Sequence, residues 1–237
     1  MSKLHSIFAV LLEQHGPLNW WPAETPFEVC IGAILTQNTN WGNVEKAIAN
    51  LRRGTLLSPK AIRDVSTELL AEAIRPAGYY NIKSGRLKDF VLWLFAEFDG
   101  ELDQMFLGDW KLLREKLLRV RGIGPETGDS IILYAGNKPT FVVDAYTKRL
   151  FARLGIVEEG SGYEDVRRIF MEELPADAEL YNEYHALIVQ HCKEYCRKSR
   201  KEKLCGACFL NASGHCFDPV ASPLLGTVER LVRLSEQ

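Results

Sequence analysis

Apolar positions recur along this chain at helical spacing, and no stretch shows the strict alternation of a half-buried strand. Residues 3–15 carry Leu4, Ile7, Phe8, Val10, Leu11 and Leu12 and predict a first helix. Residues 27–35 are so densely apolar that they predict a helix buried on all sides. Helical periodicity follows over 43–53, 59–75, 83–98 and 110–120, broken at Gly54, at Pro76-Ala77-Gly78 and at Gly100. A further apolar run, Ile131–Ala135, sits behind a Gly-Ile-Gly-Pro turn at 122–125, and helices are predicted over 145–156, 163–173 and 178–195. The pattern predicts an all-α fold without internal repeats. Residues 23–136 would form one helical domain, and residues 1–22 with 137–218 a second; 219–237 read as a C-terminal tail.

Composition narrows this picture only slightly. With 46% hydrophobic and 25% charged residues the 237-residue chain is ordinary for a globular protein. Its net charge of −2 gives no general attraction to nucleic acid, so any such grip must come from local basic patches and backbone amides. No apolar segment approaches the ~20 residues that span a bilayer, and the N-terminus lacks a signal-like cleavage site. A cytoplasmic protein with no membrane partner is expected.

Four stretches carry candidate chemistry. Around 121–125, two glycines suggest a hairpin too tight for side chains, with exposed N–H groups and a following helix start that suit phosphate. Thr36-Gln37-Asn38-Thr39-Asn40-Trp41 ends the apolar helix in amides and hydroxyls, good hydrogen-bonding material for bases and phosphates, with Asn38 and Thr39 expected to cap the next helix. Trp20 and Trp21, followed by Pro22, suit either a rigid loop presenting an aromatic wall or a pair of core anchors. Finally, five of the six cysteines fall within residues 192–216, which in a cytosolic chain points to metal ligation over disulfides. Cys30, in an apolar helix, reads as a core residue.

Helix, Gly-Ile-Gly hairpin, helix, and an aspartate 20 residues past Gly124 (Asp144, in VVDAYTKR) together resemble the endonuclease III, or helix-hairpin-helix, superfamily of DNA glycosylases. The resemblance covers about residues 20–216 and implies an active-site groove between two helical domains. It implies that Gly122, Ile123, Gly124 and Thr127 contact the DNA backbone, with Asn38 contributing, and that Asp144 lies beside the anomeric carbon of an extruded nucleotide. It further implies that Gln37 fills the gap left in the duplex. The loop after Pro76-Ala77-Gly78, leading to Lys83, also resembles one in the family. In the family, four cysteines hold a [4Fe–4S] cluster; Cys196, Cys205, Cys208 and Cys216 match its middle spacing, while both outer gaps are longer. Cys192 stands as a substitute ligand, and four thiolates also suit zinc. Arg197, Lys198 and Arg200, in the loop between ligands, would then form a phosphate-contacting finger.

Bifunctional members of this family carry a nucleophilic lysine two residues after the second glycine. Here that residue is Glu126, which cannot form an imine, so a monofunctional reaction without strand cleavage is expected. The NWWP, TQNTNW and GIGPETGDS strings resemble the family's 3-methyladenine DNA glycosylases. That likeness implies alkylated purines in double-stranded DNA as substrate, Trp20, Trp21, Pro22 and Trp41 as the base pocket, and a monomer that works alone. The alternatives are a thymine or uracil mismatch glycosylase of the same superfamily and a non-catalytic helix-hairpin-helix DNA-binding protein.

Overall fold

The computed structural model describes residues 2–18, 20, 23–199 and 202–215, with backbone only for 202 and 203. Trp21, Pro22, Arg200, Cys216 and the 219–237 tail lie outside the described residues. Among the described residues there is no strand. The helices run α1 (Lys3–His15), α2 (Pro26–Leu35), α3 (Trp41–Arg53), α4 (Pro59–Asp64), α5 (Thr67–Ala73), α6 (Tyr80–Phe98) and α7 (Leu102–Leu107). They continue as α8 (Trp110–Leu117), α9 (Pro125–Ser130), a π turn (Ile131–Ala135), α10 (Ala145–Arg153), α11 (Tyr163–Glu173), α12 (Ala178–Glu194), α13 (Glu202–Gly206) and α14 (Phe209–Ala212).

The starts of these helices follow local chemistry. Side chains of Ser2, Thr25, Asn40, Ser58, Ser66, Asp109, Asp144 and Asp177 each accept an N–H of the first turn. Pro26, Pro59 and Pro125 occupy first-turn positions where the missing N–H costs nothing. The caps correct two expectations. Residues 59–75 are two helices, because Ser66 caps a new one one residue after Val65 turns extended. The cap of α3 is Asn40, whose Oδ1 accepts from Asn43 N, and not Asn38 or Thr39. Helix α7 went unforeseen; it is six residues long with only Met105 buried.

The described chain divides into two compact units, one from residues of Met1–Trp20 and Phe141–Gln237, the other from Trp21–Thr140. In the second unit α2 is the central element: every residue from Phe27 to Leu35 is buried, against α3, α6 and the π turn. The carbonyls at its C-terminus need partners, and Lys83 of α6 supplies one. Its ammonium is buried and donates to Leu35 O and Ala77 O, each at 2.8 Å. In the first unit α1 and α10 pack on α12 around an aromatic core. Phe141 stacks on Phe170 with ring centroids 3.9 Å apart, Phe151 and Tyr184 meet Phe170 edge-on, and the Tyr184 hydroxyl donates to Leu4 O at 2.8 Å.

Burial, with Arg86 nearby, pulls the Lys83 pKa down to about 8. The unfolded lysine keeps its proton to about 10.4, so between these values the unfolded chain binds more protons and stability rises with pH. Lys83→Met should cost about 1–3 kcal/mol near pH 7, because Leu35 O loses its donor while Ala77 O keeps Thr39. Denaturant melts of both proteins across pH 7–10 check this: the wild type should gain on the variant as pH passes 8, and a constant difference would refute the depressed pKa.

Candidate functional site

The chain reaches Asp144 through Phe141, Val142 and Val143, all buried, which fix where α10 begins. Asp144 is the N-cap of that helix. Its Oδ1 accepts from Thr147 N at 2.7 Å and from Thr147 Oγ1 at 3.0 Å, and its Oδ2 lies 3.6 Å from His185 Nε2 of α12. Burial alone would raise this carboxyl's pKa. The His185 ring and the N–H and hydroxyl of Thr147 outweigh it and hold the group below its ordinary value. A largely buried carboxylate that stays ionised in neutral solution can stabilise positive charge developing nearby. The capping and charge-stabilising readings of Asp144 are therefore compatible. His185 was not singled out in the sequence. The available signal was a histidine at the head of the apolar run Ala186–Val189, where a buried ring needs a polar partner.

The hairpin lies in the second unit. Gly122 has φ +86°, and a Cβ there would come within 2.4 Å of Arg86 Cγ. Gly124 is different: it is extended, and a Cβ would meet nothing within 4 Å. The expectation of two obligatory glycines is corrected to one. Ile123 is inserted in the core, so any ligand contact there belongs to the backbone. Thr127 is buried too, with its hydroxyl accepting from Gln37 Nε2 at 2.9 Å. Glu126 is exposed in the first turn of α9, where a carboxylate suits the helix start.

The segment between α2 and α3 packs onto this hairpin. Gln37 Nε2 also donates to Gly122 O at 2.9 Å, and Arg86 Nη1 donates to Gln37 Oε1. Thr39 Oγ1 donates to Ala77 O at 2.7 Å. Asn38, at φ +53°, is exposed. Trp41 is half-buried, its Nε1 donating to Glu45 Oε1 at 2.8 Å, and it lines a recess with Glu24, Glu28, Ile48 and Arg52. Trp20 belongs to the first unit, with Lys193 Nζ 5.4 Å from its ring centre.

Cys196, Cys205 and Cys208 line one pocket of the first unit together with His191 and Arg153; its empty space is about 370 Å³. None of the five described cysteines forms a disulfide. Arg153 Nη1 reaches Cys196 Sγ at 3.0 Å, and Arg149 Nε donates to Cys196 O at 2.8 Å. The Cys192 thiol beside it and both arginines outweigh burial and hold Cys196 at about 6, while Cys192 is pushed up. Cys192 does not line the pocket; its thiol points to Tyr146 O at 3.6 Å. His191 Nε2 is 3.4 Å from Cys208 Sγ. Among the described residues no three His, Cys, Asp or Glu side chains gather closely enough for a single metal ion. Arg197 and Lys198 are exposed beside the pocket's Cys196, and Cys30 is a core residue of the other unit.

Known proteins were then compared with this chain. Residues 31–176 match the HhH-GPD superfamily of base excision DNA repair proteins. A candidate DNA repair glycosylase of Methanocaldococcus jannaschii is 49% identical over 86% of this chain and 92% of its own. The structure of H. pylori 3-methyladenine DNA glycosylase (MagIII) bound to 1,N6-ethenoadenine is 29% identical, with a TM-score of 0.68 over 81% of this chain and 98% of that one. A trapped endonuclease III–DNA covalent intermediate shares the fold at 20% identity, with a TM-score of 0.76 over 92% of this chain and 97% of that one. The buried aspartate at a helix start, the glycine hairpin and these likenesses agree: this chain belongs to the HhH-GPD superfamily of base excision repair DNA glycosylases.

Proposed function

We propose that this protein is a monofunctional DNA glycosylase that releases alkylated purines, such as 3-methyladenine, from double-stranded DNA. The observation that carries the reading is the pair of carboxylates. Asp144 is held ionised by Thr147 and His185, and an exposed Glu126 stands where bifunctional members carry lysine. An alkylated purine is cationic and leaves as a neutral base, taking the electron pair of the C1′–N bond. The sugar becomes oxocarbenium-like; Asp144 stabilises that charge more than the ground state, and water adds to C1′ and releases its proton to solvent. No imine forms, so the strand stays intact. Trp41, which is half-buried, and the tryptophans at 20 and 21 are the candidate aromatic faces for the cationic base. The likeness to the H. pylori 3-methyladenine enzyme, which was solved with an ethenoadenine, supports this substrate class.

A [4Fe–4S] cluster on Cys196, Cys205, Cys208 and Cys216 is the proposed occupant of the cysteine loop, with zinc as the alternative; the family likeness and the pocket lined by Cys196, Cys205 and Cys208 support it. Arg153 and Arg149 would offset thiolate charge. A bound cluster would serve structure, with no redox step in base release. It would hold Arg197, Lys198 and Arg200 as a phosphate-contacting finger.

Base release, a substitution at Asp144, metal analysis and the salt dependence of binding test this reading. Base release from methylated DNA and from uracil- and thymine-mismatch duplexes, with and without alkali, should show 3-methyladenine released and strand breaks only after alkali. Release of uracil or thymine alone would reassign the substrate, and breaks without alkali would refute the monofunctional mechanism. Asp144→Asn keeps a capping side chain but should lower base release by about 100-fold or more with DNA still bound. Because its pKa is depressed, wild-type activity should show no loss assignable to Asp144 until pH falls below about 4; undiminished release by the variant would remove Asp144 from the chemistry. Purified protein should contain about four irons and acid-labile sulfide per chain. Arg197→Ala with Lys198→Ala should retain that iron while making the slope of log affinity against log salt shallower by about 1–2. Zinc in place of iron, or an unaltered slope, would overturn the respective assignment.

A further inference from the structure

Helix α3 opens on Trp41, and Glu45 follows one turn later on the same side of the helix. The indole Nε1 donates to Glu45 Oε1 at 2.8 Å. Both residues line a recess of the second unit, about 810 Å³ of empty space, together with Glu24, Glu28 and Arg52. Three carboxylates thus share the recess with one guanidinium, and that guanidinium is already engaged. Arg52 Nη2 donates to Glu28 Oε2 at 2.8 Å, and its Nη1 lies 3.0 Å from Glu24 Oε1. Among the described residues no lysine or arginine pairs with Glu45; its carboxylate bonds the ring.

A recess with this charge repels phosphate, so it is no grip for the DNA backbone. It suits a cation, and the tryptophan in its wall adds a second attraction for one. The Glu45 carboxylate strengthens that attraction in two ways. Its charge acts on the cation directly, beside a half-buried ring where water screens it less than in bulk. By accepting the indole N–H it also polarises the ring and makes the aromatic face more negative. A neutral base gains from neither effect. We infer that Glu45 is a specificity-determining residue, which through the indole N–H biases Trp41 toward a positively charged base over a neutral one. This rests on Trp41 serving as a face for the extruded base, but not on bond cleavage or on which alkylated purine is released.

Binding of free purines tests this without any base being released. The probes are 3,9-dimethyladeninium, a permanent cation, and 9-ethyladenine, a neutral purine with the same number of heavy atoms. Each is titrated with the full chain and followed on its own methyl proton resonances. Wild type should bind the cation more tightly. Glu45→Gln keeps an acceptor for the indole and removes the charge, and because Glu45 is exposed the fold is retained. It should weaken the cation by about two- to fivefold, the worth of an exposed cation–π contact, and leave 9-ethyladenine unchanged. In a Trp41→Phe background, which has no N–H to share, Glu45→Gln should weaken the cation less than it does in the wild type. A wild type with no preference for the cation overturns the inference. So does a Glu45→Gln variant that loses both probes equally or loses neither, or that acts equally with and without the indole N–H. In each of those cases Trp41 keeps its place in the base pocket. A wild type that binds neither purine would instead remove Trp41 from that pocket, and the substrate reading would fall together with the inference.

Discussion

An ionised carboxylate out of water must be surrounded by donors, and the first unit is arranged around that requirement at Asp144. Unpaired, such a charge costs several kcal/mol and the group would instead neutralise. Here one oxygen takes the N–H and hydroxyl of Thr147, and the other faces His185. Those donors come from two helices, so α10 must start just after this residue and α12 must bring its eighth residue, His185, alongside. The packed rings of Phe141, Phe170, Phe151 and Tyr184 fix both conditions at once, since Phe141 lies three residues before the cap and Tyr184 immediately precedes His185. Core packing in this unit thus sets the charge state of one side chain.

The second unit uses its buried polar groups in another way, to clamp chain ends that would otherwise splay. Lys83 closes the end of α2 on Leu35 O. Arg114 of α8 grips Asp129 of α9 through two hydrogen bonds at 2.8 and 2.9 Å, and Thr140 adds a third at 2.7 Å. Ile123 plugs the hairpin into the core, and Gln37 holds its outer side. Such rigidity would suit a hairpin that presents backbone groups to an anion, because little ordering would remain to be done on binding.

Much of this was legible in the chain. Dense apolar runs marked α2 and the 131–135 turn, whereas the helix start at Ser66 was passed over because helical periodicity runs across it. The motifs around Gly122 and Asp144 carried the family. What the sequence hid was pairing. Nothing local to Gln37 says that its amide is consumed by Gly122 and Thr127, because those partners lie 85 and 90 residues away. Likewise the need for glycine at 122, and not at 124, depends on where Arg86 happens to lie. The partner of His185 was hidden for the same reason, since Asp144 is far off in the chain, although a histidine heading the apolar run Ala186–Val189 hints that it needs one.

The cysteine loop, remote from Asp144 in sequence, is tied to it through the same two helices. Helix α10 begins at Asp144 and ends with Arg149 and Arg153, which bond Cys196 through its carbonyl and sulfur. Helix α12 carries His185 near its middle and, about two turns later, His191 against that pocket. Loosening the loop would therefore free the far ends of both helices that supply the donors to the carboxylate. The reverse also holds, since a correctly started α10 is what aims Arg153 at Cys196. The cysteine-bearing segment and the charged site stabilise one another through helix rigidity alone.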